Sequence, residues 1–348
     1  MQKYLIIFTL AHIFYGLSAN STAVKAAEIT NDFFGYALLR YENETELTNK
    51  PDRERIRLIA QGGLKTTWTS KWQSTIRLST GLKNKQNVPA LTLYRFTEQA
   101  QPDNDLYIDQ AFVQYTQSAL RISAGKLPWQ LYNVTDVFWD RHLNPIGLAV
   151  GHQFSPKHNI QAAILMPLDG ESGTIGQMYL GQYKYVNQMD KLKFTFAPWF
   201  AVFNGQFGAQ YASRDTQYDH RSLRLSSALK YKKWQIGIDT GFAFDTPDQQ
   251  NKQNLSITSE LRYGGLKRQK DWLLQISYSH VERYAVVREF GQNARAAALT
   301  TNFSGWDFRW RYKLNKKAWI GTRFSSVNSL YGNTIKSNRF RIEARWSY

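Results

Sequence analysis

From Phe33 to Tyr348 the chain repeats one pattern, an apolar side chain followed by a polar or small one, and no stretch of convincing length keeps the three-to-four spacing of an amphipathic helix. In Trp306–Leu314 the apolar positions are Trp306, Phe308, Trp310 and Tyr312, and between them stand Asp307, Arg309, Arg311 and Lys313. Trp234–Phe244 sets Trp234, Ile236, Ile238, Phe242 and Phe244 against Gln235, Gly237, Asp239 and Gly241. A strand sends successive side chains to opposite faces, so each segment has one oily face and one wet face. About sixteen such segments are predicted. The first half holds Phe33–Glu44, Arg53–Leu64, Trp72–Gly81, Leu106–Tyr115, Ala119–Lys126, Ile146–Phe154, Asn159–Met166 and Thr174–Tyr185. The second holds Lys191–Phe203, His220–Tyr231, Trp234–Phe244, Leu255–Gly265, Trp272–Glu282, Gly305–Leu314, Ala318–Val327 and Ser337–Tyr348. Extension or loss at Phe200–Phe207 and Ala294–Phe303 would move the count to about fourteen or eighteen.

The connections between these segments alternate strictly between short and long. Thr69–Lys71, Thr116–Ser118, Ser155–His158, Val186–Asp190, Lys232–Lys233, Lys267–Asp271 and Asn315–Lys317 are short, whereas Leu82–Asp105, Leu127–Pro145, Asn204–Asp219 and Arg283–Ser304 are long. An up-and-down sheet with both chain ends on the short-turn side produces this alternation. Outer-membrane barrels have it, with short periplasmic turns and long extracellular loops, and a soluble sandwich has no reason to keep it. Most segments are close to the roughly nine to eleven residues that cross a bilayer when tilted. Trp234, Phe244, Trp272, Trp306 and Trp346 fall at segment ends, which suits rings at the lipid headgroup level. The expected fold is therefore all-β: a transmembrane antiparallel up-and-down barrel whose oily face meets lipid.

Composition sharpens this picture. The 348 residues include no cysteine, which excludes disulfide frameworks and thiolate metal sites, and carry a formal charge of +17. Beyond the first residues no stretch approaches the roughly 18 apolar residues of a spanning helix. Residues 1–26 read as a signal peptide, with Lys3 before an apolar run from Tyr4 to Leu17 and a small-residue cleavage site ending at Ala26. Cleavage there would leave a barrel of residues 27–348 in a Gram-negative outer membrane.

If the oily face meets lipid, the alternate face lines the lumen. Parity places Arg77, Arg121, Arg224, Arg262, Arg309, Arg311, Arg323, Arg339, Arg341 and Arg345 on it. Such a wall attracts anions and repels cations. The loop Leu127–Pro145 is the candidate constriction: folded inward, it would bury Trp129, Phe138 and Trp139 and set Asp136 and Asp140 opposite the arginines. An extracellular lid and a contact between protomers are the other readings of that loop.

Three stretches resemble the bacterial putative porins of the outer membrane: RERIRLIAQGGLKTTWTSKWQSTIRLSTG (Arg53–Gly81), DLYIDQAFVQYTQSALRISAGKLPW (Asp105–Trp129) and WDRHLNPIGLAV (Trp139–Val150). The resemblance covers about the first third of the chain after the signal peptide and implies a trans-barrel diffusion channel without naming a solute.

Two other classes stand beside a channel for small hydrophilic solutes or anions: an outer-membrane hydrolase, and a closed barrel with a structural or adhesive role. His220 and Ser222 lie two apart on one strand face, as in the outer-membrane phospholipase, but Trp234 stands where that enzyme needs an Asn to hold the imidazole. His280 with Glu282 has no second acidic pair, and His142 and His152 have no metal-ligand spacing. No catalytic residue, cofactor or metal is expected, and no nucleic-acid partner, since no nucleic-acid fold accompanies the basic charge. Expected partners are outer-membrane lipid and lipopolysaccharide, the barrel-assembly machinery and, by analogy of fold, two further copies in a homotrimer. The aromatic ending with Trp346 and Tyr348 resembles the C-terminal signal by which such barrels are recognised for insertion.

Overall fold

A computed structural model of the chain describes residues 29–45, 52–81, 89–96, 105–129, 131–166, 177–204, 220–246, 253–287, 290–291 and 301–348. The expected signal peptide and cleavage site lie outside the described residues.

The described chain folds into one antiparallel sheet. Its strands are β1 (Thr30–Thr45), β2 (Arg53–Thr67), β3 (Trp72–Gly81), β4 (Leu91–Arg95), β5 (Asp105–Gln117), β6 (Leu120–Lys126), β7 (Ile146–Ser155), β8 (His158–Met166) and β9 (Gln177–Met189). They continue as β10 (Leu192–Asn204), β11 (His220–Tyr231), β12 (Trp234–Ala243), β13 (Leu255–Gly264), β14 (Trp272–Val281), β15 (Phe303–Lys313), β16 (Ala318–Ser329) and β17 (Lys336–Ser347). The sheet closes on itself, because β17 pairs antiparallel with β1 from Tyr36↔Ser347 to Thr45↔Asn338. Closure removes the exposed edges that an open sheet leaves.

Two details differ from the pattern-based expectation. The short strand β4 pairs with Arg55–Leu58 of β2, while β3 pairs with Gln61–Thr67, so β4 continues the line of β3 after an excursion and the wall has sixteen positions. Leu93 and Tyr94 are both exposed, so this five-residue strand breaks the alternation that reveals the others. Strand β9 runs on to Met189, so the expected turn at Val186–Asp190 shrinks to Asp190-Lys191. Tight hairpin turns need positive φ, and Ser118, Asp190 and Lys232 adopt it (52°, 47° and 52°) without being glycine.

Polarity is inverted relative to a soluble domain. Outward positions such as Leu223, Ile236 and Ile342 are exposed, at 52%, 62% and 49%, while Ser222, Asp239, Ser256 and Ser279 are fully buried. Buried apolar residues collect inside the barrel on one side, where Leu127, Trp129, Val137, Phe138, Trp139 and Leu143 and the segment after β14 pack on the wall.

Candidate functional site: the lumen and its inward loop

The loop after β6 is held inside the barrel at both ends. At its neck, Leu127 N–H donates to Pro145 C=O (3.0 Å). A β-bulge opposite Arg77 and Leu78 turns Asp109 and Gln110 of β5 both into buried positions. Asn144 Nδ2 donates to Asp109 Oδ1 (2.6 Å) and Asn144 Oδ1 accepts from Gln110 Nε2 (2.9 Å). The other oxygen of Asp109 accepts from Arg77 Nε (2.7 Å), so a single carboxylate ties the loop to the arginine wall.

The tip is fixed across the barrel. Val134 N–H donates to Asp239 Oδ1 (3.0 Å), and Thr135 donates to Oδ2 from its N–H (2.6 Å) and its hydroxyl (2.7 Å). Gln182 of β9 brackets Tyr132, accepting from its N–H (2.8 Å) and donating to its C=O (3.0 Å). Gly237 permits the approach, since a Cβ there would lie 2.5 Å from a Val134 methyl. Packing contributes more than these bonds. Trp129, Phe138 and Trp139 are at most 5% exposed. Burial of large apolar side chains at about 1.5–3 kcal/mol each gives roughly 5–9 kcal/mol for the three, against about 1 kcal/mol net for a typical hydrogen bond.

A second segment, not anticipated from the pattern, completes the packing. Ala285, Val286, Val287 and Phe290, after β14, are buried against the loop. Asp140 N–H donates to Phe290 C=O (2.8 Å) and Trp139 stacks on Phe290 at 5.8 Å. Arg224 lies beneath both segments, its guanidinium 4.5 Å from the Phe138 ring and its Nη2 donating to Ala285 C=O (2.5 Å). It is 3% exposed and serves as internal packing.

The ten arginines share the inward polar face of the sheet, with Arg224, Arg323, Arg339 and Arg341 buried and Arg121 exposed, and their surroundings divide them. Arg341 and Arg339 are each 2% exposed and pair with Glu42 and Glu44 at 2.6 Å and 2.7 Å. Glu42 also receives Arg55 at 2.5 Å. Arg323 pairs with Asp307 (2.7 Å), Arg262 with Glu260 (2.8 Å), and Arg77 with Asp109. Among the described residues Arg121, Arg309, Arg311 and Arg345 form no ion pair. Arg311 instead lies over Trp319 (4.5 Å) and Arg345 over Tyr36 (3.8 Å). Aromatic faces hold these guanidinium groups in place without neutralising them.

Both open into a cavity of about 190 Å³ whose lining also includes Arg40, Arg77, Arg141, His142 and Gln61. Arg40 is paired there with Glu343 (2.8 Å). The cavity lies between the loop and the wall of β1–β3 and β15–β17, the part of the lumen left open by the apolar packing. Asp136 is half-buried and within electrostatic reach of Arg141 and Arg309. Asp140 is 3% exposed and accepts from His142 N–H (2.8 Å), so it shapes the loop and does not face the cavity. Burial, with Asp136 close by, pushes its carboxyl up to about 7. Burial and the adjacent Arg141 hold the His142 imidazole well below its usual range, so it stays neutral.

The remaining sequence candidates sit elsewhere. Trp346 is 51% exposed, opposite Ala37 and Ala318. Tyr348 donates its N–H to Gly35 C=O (3.2 Å) and its hydroxyl to Gln61 C=O (3.0 Å), across the closing seam. His220 and Ser222 are buried, and across β10 they face Phe203 and Ala201, neither of which can orient an imidazole. His280 Nε2 is 3.8 Å from Glu282 Oε1.

A closed sixteen-position barrel with an inward loop on a charged wall is a channel architecture, and comparison with protein families agrees. Residues 18–263 and 225–346 match the family described as "Putative porin". The chain belongs to that family. Comparison with curated proteins found no match. Among solved structures, this porin is similar to OprB of Pseudomonas putida at 9% identity, with 91% of this chain and 94% of that chain covered and a TM-score of 0.61. It is similar to a mutant of the Rhodopseudomonas blastica porin at 9% identity, covering 92% and 100%, with a TM-score of 0.58. OccK2 (OpdF) of Pseudomonas aeruginosa, solved in complex with glucuronate, is similar at 10% identity, covering 91% and 98%, with a TM-score of 0.50. At these identities the likeness carries the fold alone. The porin resides in the outer membrane as a β-barrel channel.

The clamp of Asp109 and Asn144, the Asp239 anchor and the carboxylates Glu42 and Glu44 were not singled out from the sequence. Their one legible sign is an acidic residue on a strand face that otherwise carries arginine or small polar groups.

Proposed function

We propose that this porin passes small hydrophilic solutes by passive diffusion, prefers anions, and selects them at the cavity between the 127–145 loop and the wall of β15–β17. The observation that carries the proposal is the division of the arginines: Arg311 and Arg345 are held over aromatic rings, uncancelled, where the lumen stays open. Arg309 and Arg121, which form no ion pair among the described residues, add to the basic charge of the lumen, whereas Arg323, Arg339 and Arg341 are paired with carboxylates and act as wall structure. The loop narrows the path by filling the opposite half of the lumen with apolar side chains. Asp136, near Arg141 and Arg309, supplies an opposing charge that favours dipolar solutes.

The reading assigns no catalytic step; His220 and Ser222 lie buried against Phe203 and Ala201 of β10. Trp346 and Tyr348 act in recognition by the barrel-assembly machinery after signal-peptide cleavage, and a homotrimer remains the assembly suggested by fold. Planar-bilayer recording under a salt gradient tests the function: discrete conductance steps with a reversal potential on the anion side are expected, and glucuronate should reduce chloride current. A bilayer showing no ion steps, or a cation-selective reversal potential, overturns it.

A further inference from the structure

The lumen holds part of the basic charge, and much of the rest is distributed unevenly between the two ends of the barrel. The seven short turns (68–71, 118–119, 156–157, 190–191, 232–233, 265–271 and 314–317) carry ten basic and two acidic residues. The long connections, read from the sequence, carry nine basic and fourteen acidic residues. The short-turn rim is therefore strongly positive, while the sequence of the long connections is net acidic.

The positive charge is densest where three turns meet. Lys232-Lys233 joins β11 to β12, Lys267, Arg268 and Lys270 lie between β13 and β14, and Lys316-Lys317 joins β15 to β16. Backbone bonds link these turns into one continuous rim. Gly264 N–H donates to Lys233 C=O (2.9 Å), Lys270 N–H to Lys313 C=O (2.8 Å), and Ser347 N–H to Lys317 C=O (2.9 Å). All seven cations are exposed, and among the described residues none forms an ion pair. The acid among them, Asp271, is turned onto its own loop, where it accepts from the N–H groups of Lys267 (3.0 Å) and Arg268 (2.7 Å).

Directly beside this rim the outward face carries interlocked rings. Trp234 contacts Tyr263 at 4.5 Å, and Tyr263 contacts Trp272 at 5.0 Å. Trp234 and Trp272 remain 49% and 44% exposed. Such rings settle at the level where acyl chains meet headgroups. That depth brings the lysines, on their flexible stems, to the phosphate plane of the same leaflet.

We infer that this corner of the periplasmic rim is a binding site for an anionic phospholipid, with its phosphate among the cations of the three turns and its glycerol and upper acyl chains on Trp234, Tyr263 and Trp272. A soluble anion could use the cations alone. The adjoining exposed rings are what favour a lipid, because they match its apolar part and offer nothing to an ion. An anionic headgroup is favoured over a zwitterionic one because the one acid within the three turns, Asp271, is already engaged by N–H groups of its own loop and does not reach out to a choline or ethanolamine cation.

The test uses the full mature barrel purified in detergent, with bound lipid counted by native mass spectrometry after titration with phosphatidylglycerol or phosphatidylcholine. Wild type is expected to retain phosphatidylglycerol in clear preference. Each lysine brought near a lipid phosphate contributes about fivefold. Lys233→Gln with Lys267→Gln and Lys270→Gln should cut that preference by about 100-fold, whereas Lys71→Gln with Lys157→Gln, on other turns of the same rim, should keep it. Trp234→Leu with Trp272→Leu should weaken retention of the lipid while leaving any competition by inorganic phosphate unchanged. Equal retention of the two lipids by wild type overturns the inference, as does a preference left undiminished by the triple lysine change. Displacement of the lipid by millimolar inorganic phosphate, with no effect of the tryptophan change, also overturns it in favour of a simple anion site. Heat-modifiable gel mobility confirms that each variant has folded before it is scored.

Discussion

Replacing Arg311 and Arg345 together by glutamine should remove most of the anion preference and leave the barrel intact. A monovalent anion about 4 Å from a guanidinium gains about 1 kcal/mol in a medium as polar as water and about 4 kcal/mol at an effective dielectric constant of 20. The smaller value applies to a hydrated lumen. It enriches the anion about fivefold and depletes a cation by the same factor, which bounds one contact at about 25-fold in their ratio. Ions keeping further from the wall, screened over a Debye length of about 8 Å, feel less, so the double variant is expected to lose about five- to tenfold in anion over cation permeability. Among the described residues neither has a carboxylate partner that would be stranded; each loses a ring contact of about 0.5–1 kcal/mol. Arg341→Gln is the contrasting variant. Its charge is already met by Glu42 at 2.6 Å in a pair no more than 3% exposed, so selectivity should change little. Breaking a buried pair costs roughly 3–5 kcal/mol, so this variant should instead unfold at lower temperature or denaturant. Reversal potentials under a tenfold salt gradient measure the first effect, and heat-modifiable gel mobility measures the second. If Arg341→Gln moves the reversal potential as far as the double variant does, cancellation by carboxylates is not what divides the arginines, and the reasoning fails.

Other expectations follow from the loop and the seam. Phe138→Ala removes a ring buried at 3% exposure between the loop and Arg224, at about 3–5 kcal/mol; larger and noisier single-channel conductance should result, and unchanged conductance would mean that the loop does not set the narrow path. Asp239→Ala leaves the Val134 and Thr135 N–H groups without their acceptor at about 1–3 kcal/mol each, so the tip should gain protease sensitivity while the aromatic packing keeps the loop inside. Asp140 titrates near 7 when packed and near 4 when released. Packing therefore binds the extra proton, and its stabilisation is complete below pH 4 and lost as pH rises through 7. Conductance noise should grow from pH 6 to 8, and Asp140→Asn should flatten that dependence. Gly35→Val would place Cβ 2.3 Å from Gln61 C=O and the Tyr348 hydroxyl, so folding yield should fall more than with Tyr348→Phe.

Much of the wall was legible in the sequence, for a physical reason. A strand between lipid and water must alternate, and a turn too short for anything but a hairpin must join neighbours, so β3, β11 and the start of β7 are readable from local pattern alone. The same parity marks Asp307, Arg309 and Arg311 as one face, and the ring at the chain end as a partner for β1. Local pattern has no access to what meets across the lumen. That Asp239 holds Thr135, 104 positions away, that Asp109 holds both Arg77 and Asn144, 32 and 35 away, and that Ala285, Val286, Val287 and Phe290 share the inside with the loop are consequences of how the closed sheet folds, not of local pattern. Sequence parity treats Arg341 and Arg345 alike, as two lumen-facing charges four residues apart. Tertiary structure separates them, because register sets Glu42 opposite Arg341 and leaves Arg345 beside the ring of Tyr36. Charge was determined by the sequence; whether that charge is spent on the wall or left for a solute was decided by the neighbour that the closed sheet supplies.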